Sequence, residues 1–522
     1  MSETTHQSLP ELLAQSTARY GEQPAIHIGD RTITHREFGV ATDRIAAGLR
    51  AGGLAKGDRV GLICANSDVF ALAYFGILKA GGTVVPVNLL LNPKEMAFIL
   101  GNADVSMVLY LDLFTGLIDA IRPQLPDSVE WVEMPMGPVS DDTHSAWHRL
   151  VNSEAPYTPV DFDPPNDIAV ILYTSGTTGY PKGAMLTHRN LASNATAISE
   201  ALRLVAGKDV LITVLPMFHA FAATVCMIYP LLNGCALVPV PKFDPALVAD
   251  MIERHQVTLL AAVPGMYGVL NKLPDSAVPK FASLKYCISG GAAMPVAWMQ
   301  AFEEKFGKLI YEGDGPTECS PCTCVNPIGG VRKPGSVGTV IPSVSMKILD
   351  EQGVECTTGT IGEICVRGPN IMKGYWKLPD DTAEVFFGDW LRTGDLGYVD
   401  EDGYFFIVDR KKDMVIVNGM NVYPRIIEEA LHRYPAVREV AVIGEPDETH
   451  GEKVVAFVVL HDGHKEDIPA LRKYCLSHLG RHEVPRVFRF VPDLPKNAAG
   501  KIMKRELRMQ GELERGVDRR GL

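Results

Sequence analysis

The chain has 522 residues, 46% hydrophobic and 21% charged, the make-up of a folded globular protein and not of a disordered, collagen-like or disulfide-stapled one. At roughly 100–200 residues per domain it holds more than one structural unit. Lys and Arg number 50 against 62 Asp and Glu, a net charge of −12 that excludes the basic footprint of a sequence-independent nucleic-acid binder.

Residues 1–10 are polar and carry neither a basic nor an apolar leader region, so no targeting segment is expected. Helical spacing marks Leu9–Tyr20. A hairpin follows, with strands Ala25–Ile28 and Arg31–Thr34 around Gly29 and Asp30. Helix Arg36–Ala51, strand Arg59–Cys64, helix Val69–Ala80 and strand Thr83–Pro86 then alternate, the pattern of βαβ units and a parallel sheet. It resumes with strand Ile168–Tyr173, a glycine-rich loop and a helix from His188. The longest uncharged stretch, Ala220–Pro241, is long enough to span a bilayer, but Pro230, Asn233, Gly234 and Pro239 interrupt it. A helix over Ala220–Tyr229 and a buried strand over Ala236–Pro239 are expected instead.

Beyond about Gly338 short strands (Val344–Leu349, Gly362–Arg367, Tyr404–Val408) with glycine turns indicate a small antiparallel unit. The charged run Asp409–Asp413 sits between two apolar strands and is the candidate hinge, although such a run is also an ordinary solvated turn. Past it, helices Pro424–Arg433 and Ile468–Leu479 and strands Val437–Gly444 and Val454–Leu460 make a second, smaller domain. The ten cysteines are scattered in apolar runs, as expected of reduced thiols in a cytoplasmic enzyme. Cys319, Cys322 and Cys324 cluster but lack the second pair of a metal site, and read as small packing residues.

The densest local chemistry lies in Tyr173–Gly183. Four Ser/Thr hydroxyls, three glycines and Lys182 follow an apolar strand, and such a loop can wrap phosphate oxygens with backbone N–H groups and one positive charge. It is not a Walker A loop, whose G-x-x-x-x-G-K-[ST] is absent.

This segment resembles the phosphate loop of the adenylate-forming enzymes, which include acyl-CoA synthetases, peptide-synthetase adenylation domains and luciferases. Further blocks match in the family's order: Leu78–Thr83, Leu215–His219, Ser289–Pro295, Glu312–Glu318, Gly362-Glu363 with Gly374-Tyr375, Trp390–Asp395, Asp409–Asp413 and Pro495–Lys501. Trp390–Asp395, Val408–Met414 with Asn421–Pro424, and Thr317–Pro321 with Val325–Pro327 are most similar to medium- and long-chain fatty acyl-CoA ligases.

The resemblance implies an α/β fold: a large N-terminal domain of mixed α/β sheets with a small β subdomain (1–411), hinged at about 409–413 to a small α+β C-terminal domain (412–522). It implies a carboxylate attacking the α-phosphate of Mg-ATP, then CoA thiol attacking the acyl-adenylate and releasing AMP. Thr174, Ser175, Gly176, Thr177, Thr178, Gly179 and Lys182 would cradle the β- and γ-phosphates. Glu318, with Thr178, would hold Mg2+, a hard cation that prefers oxygen, and Thr317 would touch the α-phosphate. Asp395 would accept the ribose hydroxyls with Arg410 in support. Gly291, Ala292, Glu312 and Gly313 would line the adenine site. Lys501 would bridge carboxylate and α-phosphate, relieving their repulsion, though by itself it reads as a solvated surface lysine. Lys412 matches the pivot of a domain rotation, and Gly419 would border the pantetheine tunnel unless it is a plain hairpin glycine. His219 would stand near the acyl carboxylate, a lone histidine in an apolar stretch otherwise being a core residue. Phe218, Phe221, Met266 and Met294 are candidate apolar walls.

One slot departs from the family. Asp314 stands where an aromatic ring usually stacks on adenine, so the base must be held otherwise; Asn418 is a milder departure. Three competing readings stay open. The acid could be aryl, short-chain or dicarboxylic, or the enzyme could be an acyl-AMP ligase loading a carrier protein. A non-catalytic acyl-adenylate sensor is weakened by the intact Lys182, Glu318, Asp395 and Lys501. The implied ligands are a small carboxylic acid, ATP, Mg2+ and CoA. A long-chain substrate is compatible with peripheral membrane contact, although no amphipathic basic helix stands out, and the blocks do not fix an oligomeric state.

Overall fold

A computed structural model of the chain describes residues 7–136, 145–174, 181–447, 449–496 and 502–514. Its helices begin where short polar side chains can take up free backbone N–H groups. Ser8, Thr34 and Asn92 cap helices Leu9–Tyr20, His35–Ala51 and Pro93–Asn102, and Glu11, Glu37 and Glu95 reach back to the N–H of each cap residue. Helix Asp68–Lys79 is buried at every position but Leu72, as an apolar helix between two layers must be. Its terminal Lys79 is neutralised by Asp43 at 2.7 Å.

Two large mixed sheets carry the N-terminal part. In one, Val210–Thr213, Ala236–Pro239, Leu259–Ala262, Tyr286–Ser289 and Ile310–Asp314 run parallel with Pro24–Ile28, whose hairpin partner Arg31–Thr34 closes an edge. In the other, Arg59–Ile63, Thr83–Pro86, Val105–Leu111, Glu130–Met134 and Ile168–Thr174 are parallel. The expectation of strand, loop, then helix at Ile168 needs correction. Lys182–Thr187 returns as an antiparallel strand, so the glycine-rich loop joins two strands, and helix His188–Leu202 starts only afterwards, capped by Thr187. Pro181 and Gly183 made this short strand look like loop, but burying Ala184 and Leu186 against the sheet decides it.

The uncharged stretch is a buried helical segment followed by strand Ala236–Pro239, and Ala222–Ile228 winds as a π-helix. Pro230 has no N–H for the Cys226 carbonyl, and the Thr213 hydroxyl donates to it instead at 3.1 Å. Among the described residues, no helix is long and apolar enough to cross a membrane.

The small antiparallel unit forms as expected from Ser345–Leu349, Gly362–Arg367, Trp390–Val399 and Phe405–Arg410, with Phe386–Phe387 at its edge. The C-terminal sheet holds Val415–Val417, Met420–Val422, Val437–Asp447, Gly451–Leu460 and Val487–Phe490. Its two faces feed separate cores: Val440, Val442 and Val458 on one, Ala441, Ile443 and Val459 on the other. Burial on both faces explains the unbroken apolar runs of these strands. All ten cysteines are unpaired. Cys319 and Cys322 belong to the main core and Cys324 to a separate one.

Candidate active site

The expected binding segments gather at the carboxyl ends of parallel strands, where α/β sheets leave a crevice. Strand Tyr286–Ser289 ends in Gly290 and Gly291; Gly291 has φ +78° and is exposed, as is Ala292. A side chain at Gly290 would meet Phe221 and the Gly313 carbonyl at 3.2 Å, so the π-helical segment abuts this strand end. Strand Val210–Thr213 leads into the turn bearing His219. The turn is shaped by buried Asn66, which donates to the carbonyls of Thr213 (3.0 Å) and Leu215 (2.8 Å) and accepts from Met217 N–H (2.7 Å). His219 is exposed at the start of the following helix, its Nδ1 accepting from Phe221 N–H at 3.3 Å, and is not a core histidine. Met266, Met294 and Phe221 pack in one apolar cluster, and Phe218 packs against the main core.

Strand Ile310–Asp314 ends in a turn that Gly315 alone permits: a Cβ there would lie 1.3 Å from the Pro321 carbonyl oxygen. The turn presents Thr317 and Glu318, both half-buried. Tyr375 donates its hydroxyl to Glu318 Oε1 at 2.8 Å, and Met372 N–H donates to the Glu318 carbonyl at 2.8 Å. Burial, then the neighbouring Glu318 carboxylate, push the Tyr375 hydroxyl far up, so it stays a donor. Lys182 Nζ lies 5.4 Å from the centre of the Tyr375 ring and is ion-paired with Asp381. Thr174 sits opposite Lys182 in the register. Ser175, Gly176, Thr177, Thr178 and Gly179 lie outside the described residues, as does Lys501.

Asp395 and Arg410 are register partners on adjacent strands and form an ion pair at 3.1 Å. Asp395 chiefly, with Asp314 and Glu318 adding, holds the Arg410 guanidinium charged against its partial burial. Asp314, Glu318 and Asp395 thus converge on one cation. The donor set suits a magnesium-bound polyphosphate nucleotide: a cation for phosphate, the Tyr375-bound Glu318 carboxylate for the metal, and a carboxylate–guanidinium pair for a sugar.

Glu312 is buried and has partners of its own. Its carboxylate accepts from Gly335 N–H at 2.9 Å, its carbonyl accepts from Asn326 N–H at 2.9 Å, and burial pushes its carboxyl up to about 7. Gly313 pairs with Val325 in the sheet.

The charged run after Arg410 is tied down on both sides. Glu363 accepts from Arg392 (2.9 Å) and Lys411 (3.2 Å), while the N-terminal N–H of helix Pro424–His432, on Arg425, donates to Asp409 at 2.8 Å. Lys412 between them is exposed. Trp298 and His432 meet edge to face at 5.6 Å across the two parts of the chain. Gly419 and Asn418 both have positive φ (+76° and +52°) in a two-residue hairpin loop, the turn that Asn-Gly favours. This accounts for both residues as hairpin chemistry.

Asn66, Glu363 and Asp381 were given no role by the sequence reading. Tyr375 stood in a matched block, but nothing there pointed to its hydroxyl.

The comparisons with known proteins agree with this geometry. A family model described as AMP-binding enzyme matches residues 13–376, and one described as AMP-binding enzyme C-terminal domain matches 426–501. The chain is 37% identical to the long-chain-fatty-acid–CoA ligase of Bacillus subtilis (strain 168), over 96% of this chain and 94% of that one. It is 36% identical to the sulfoacetate–CoA ligase of Cupriavidus necator, over 96% and 97%. Among solved structures, ATP-bound MatB from Rhodopseudomonas palustris superposes with a TM-score of 0.88 at 32% identity, over 97% of this chain and 99% of that one; apo MatB superposes at 0.78. The chain therefore belongs to the AMP-binding enzymes of the adenylate-forming superfamily, and is an AMP-forming CoA ligase that joins a carboxylic acid to CoA through an acyl-adenylate, using ATP and Mg2+.

Proposed function

We propose that the acid is a medium- or long-chain fatty acid. The observation that carries the reading is that Phe221, from the apolar cluster that also holds Met266 and Met294, reaches Gly290 at the strand end beside the exposed Gly291 and Ala292. An acyl chain entering beside Gly290 would meet this apolar cluster. The likeness to the Bacillus subtilis enzyme supports this, while the nearly equal likeness to the sulfoacetate ligase favours a small polar acid as the second reading.

In this reading Lys182, Thr174 and the loop 175–180 bind the β- and γ-phosphates, and Thr317 orients the α-phosphate. Glu318, steered by Tyr375, and Thr178 hold Mg2+, which neutralises phosphate charge when bound. Asp395 takes the ribose hydroxyls, with Arg410 ion-paired to its carboxylate. Gly291, Ala292 and Gly313 flank the base, which Asp314 cannot stack on. Glu312 contributes by fixing the neighbouring loop. Lys501 approaches from the C-terminal domain to bridge the two reacting oxygens, then withdraws as residues 412–522 turn about Lys412 and bring Gly419 towards the pantetheine chain. The closer superposition on ATP-bound than on apo MatB supports an arrangement suited to the first half-reaction.

The test is AMP release by purified enzyme with Mg-ATP and CoA across straight-chain acids from acetate to palmitate, with benzoate, adipate and sulfoacetate alongside. CoA-dependent turnover peaking at octanoate or longer is expected. A maximum at acetate, adipate or sulfoacetate would replace the fatty acid with a small polar one. Turnover that ignores CoA would point to a carrier-protein acceptor.

A further inference from the structure

The lysine assigned above to the phosphates already has an anion beside it. Lys182 Nζ is ion-paired with Asp381 across 199 residues of chain, and the two side chains are only 15% and 28% exposed. This is not a chance surface pair. Asp381 lies on helix Pro379–Glu384, which is bolted to the strand that carries Lys182. Trp376 N–H donates to Gly183 carbonyl at 2.7 Å, Tyr375 pairs with Ala184, and Thr382 accepts from Tyr375 N–H at 2.8 Å while donating to Leu378 carbonyl at 2.7 Å. Lys182, the Tyr375 ring and Glu318 follow one another, and Asp381 closes the lysine end of that row.

We propose that Asp381 is a built-in competitor for the phosphates of the nucleotide. Its carboxylate neutralises Lys182 in the free enzyme, yields the lysine to the phosphates when Mg-ATP binds, and takes it back as pyrophosphate leaves. The inference rests on the phosphate-binding role of Lys182 given above. An ammonium has three donors but a single charge, and a carboxylate left beside a polyphosphate repels it. Binding must therefore either displace Asp381 or proceed against its charge, and both routes weaken affinity for ATP and for pyrophosphate. The gain is in release: the partner that re-forms on Lys182 is tethered and needs no diffusion, so product does not stay bound. If Asp381 instead pre-aimed Lys182 at the phosphates, its removal would have the opposite sign.

The experiment compares wild type with Asp381→Asn and Asp381→Ala. The KM for Mg-ATP is expected to fall three- to tenfold in both variants, the inhibition constant for pyrophosphate to fall by a similar factor, and the KM for the acid to stay where it was. An unchanged or higher KM for Mg-ATP in both variants overturns the proposal. Calorimetric titration with inorganic tripolyphosphate reads the same lysine without turnover: binding should tighten in Asp381→Asn and vanish in Lys182→Ala. Wild type that turns over ATP, with variants that bind neither ATP nor tripolyphosphate more tightly, would sink the role of Asp381 alone. Tripolyphosphate binding unaltered in Lys182→Ala would remove the role of Lys182, and this inference with it.

Discussion

Around Arg410 the chain gathers Asp314, Glu318 and Asp395. Asp314 occupies the slot where relatives are expected to carry a ring, and its contribution here is charge and not stacking. It adds to the field that keeps Arg410 charged, and its carbonyl anchors Thr323 through N–H and hydroxyl, both at 2.9 Å. Glu312, two residues earlier, behaves quite differently because it is buried. Its carboxyl is raised to about 7 from the 4.5 of an exposed glutamate. Between those two pH values the folded protein holds a proton that the unfolded chain has released, so this group's contribution to stability falls as pH rises from about 4.5 to about 7, and the loss is complete above that. Glu312→Gln, which still accepts from Gly335, should raise the thermal midpoint at pH 8 and give little gain at pH 5. Equal shifts at both pH values would mean that Glu312 does not titrate in this window.

At the scale of elements, the turn Leu215–His219 depends on a residue far from it in sequence. Asn66 is 5% exposed and satisfies three backbone groups of the segment Thr213–Met217. Asn66→Ala leaves those groups without partners and should cost on the order of 2–4 kcal/mol, read as a lower urea midpoint. Because the same turn carries His219, the KM for the acid should rise at least fivefold while that for Mg-ATP moves less. Equal effects on both would detach the turn from acid binding. The glycine-rich loop shows the reach of local reading: its residue types suggest an anion cradle, but its place between antiparallel strands, not before a helix, follows from burial of Ala184 and Leu186. Gly419 is the converse case, for the Asn-Gly dipeptide already specified the hairpin that is present.

Across the whole molecule, among the described residues, mostly polar contacts tie the small C-terminal unit to the large one, such as Arg425 on Asp409 and on the Ile407 carbonyl (2.6 Å), and Trp298 on His432. Such an interface can be exchanged for another at small net cost. Lys412, exposed between the tethered Lys411 and Asp413, has the freedom a pivot needs. Lys412→Pro fixes φ near −65° there. It should leave acid-dependent pyrophosphate release within about threefold of wild type and lower CoA-thioester formation by at least about tenfold, because the proposed rotation would serve only the second half-reaction. Equal loss of both half-reactions would place the pivot elsewhere. Fold class, the order of elements and most of the candidate site were legible in the sequence, because amphipathic period, capping residues and motif spacing are local properties and the matched blocks lie in one order along the chain. The partners of those residues were not. Asn66 with Met217, Tyr375 with Glu318, Lys182 with Asp381 and Arg425 with Asp409 each join segments brought together only when sheets and helices bury their apolar faces. By itself, then, the sequence determined which chemical groups this enzyme brings to a carboxylate and a nucleotide; the tertiary structure decided which of those groups neutralise, orient and compete with one another, because charge and hydrogen-bond coupling depend on distance in space and not along the chain.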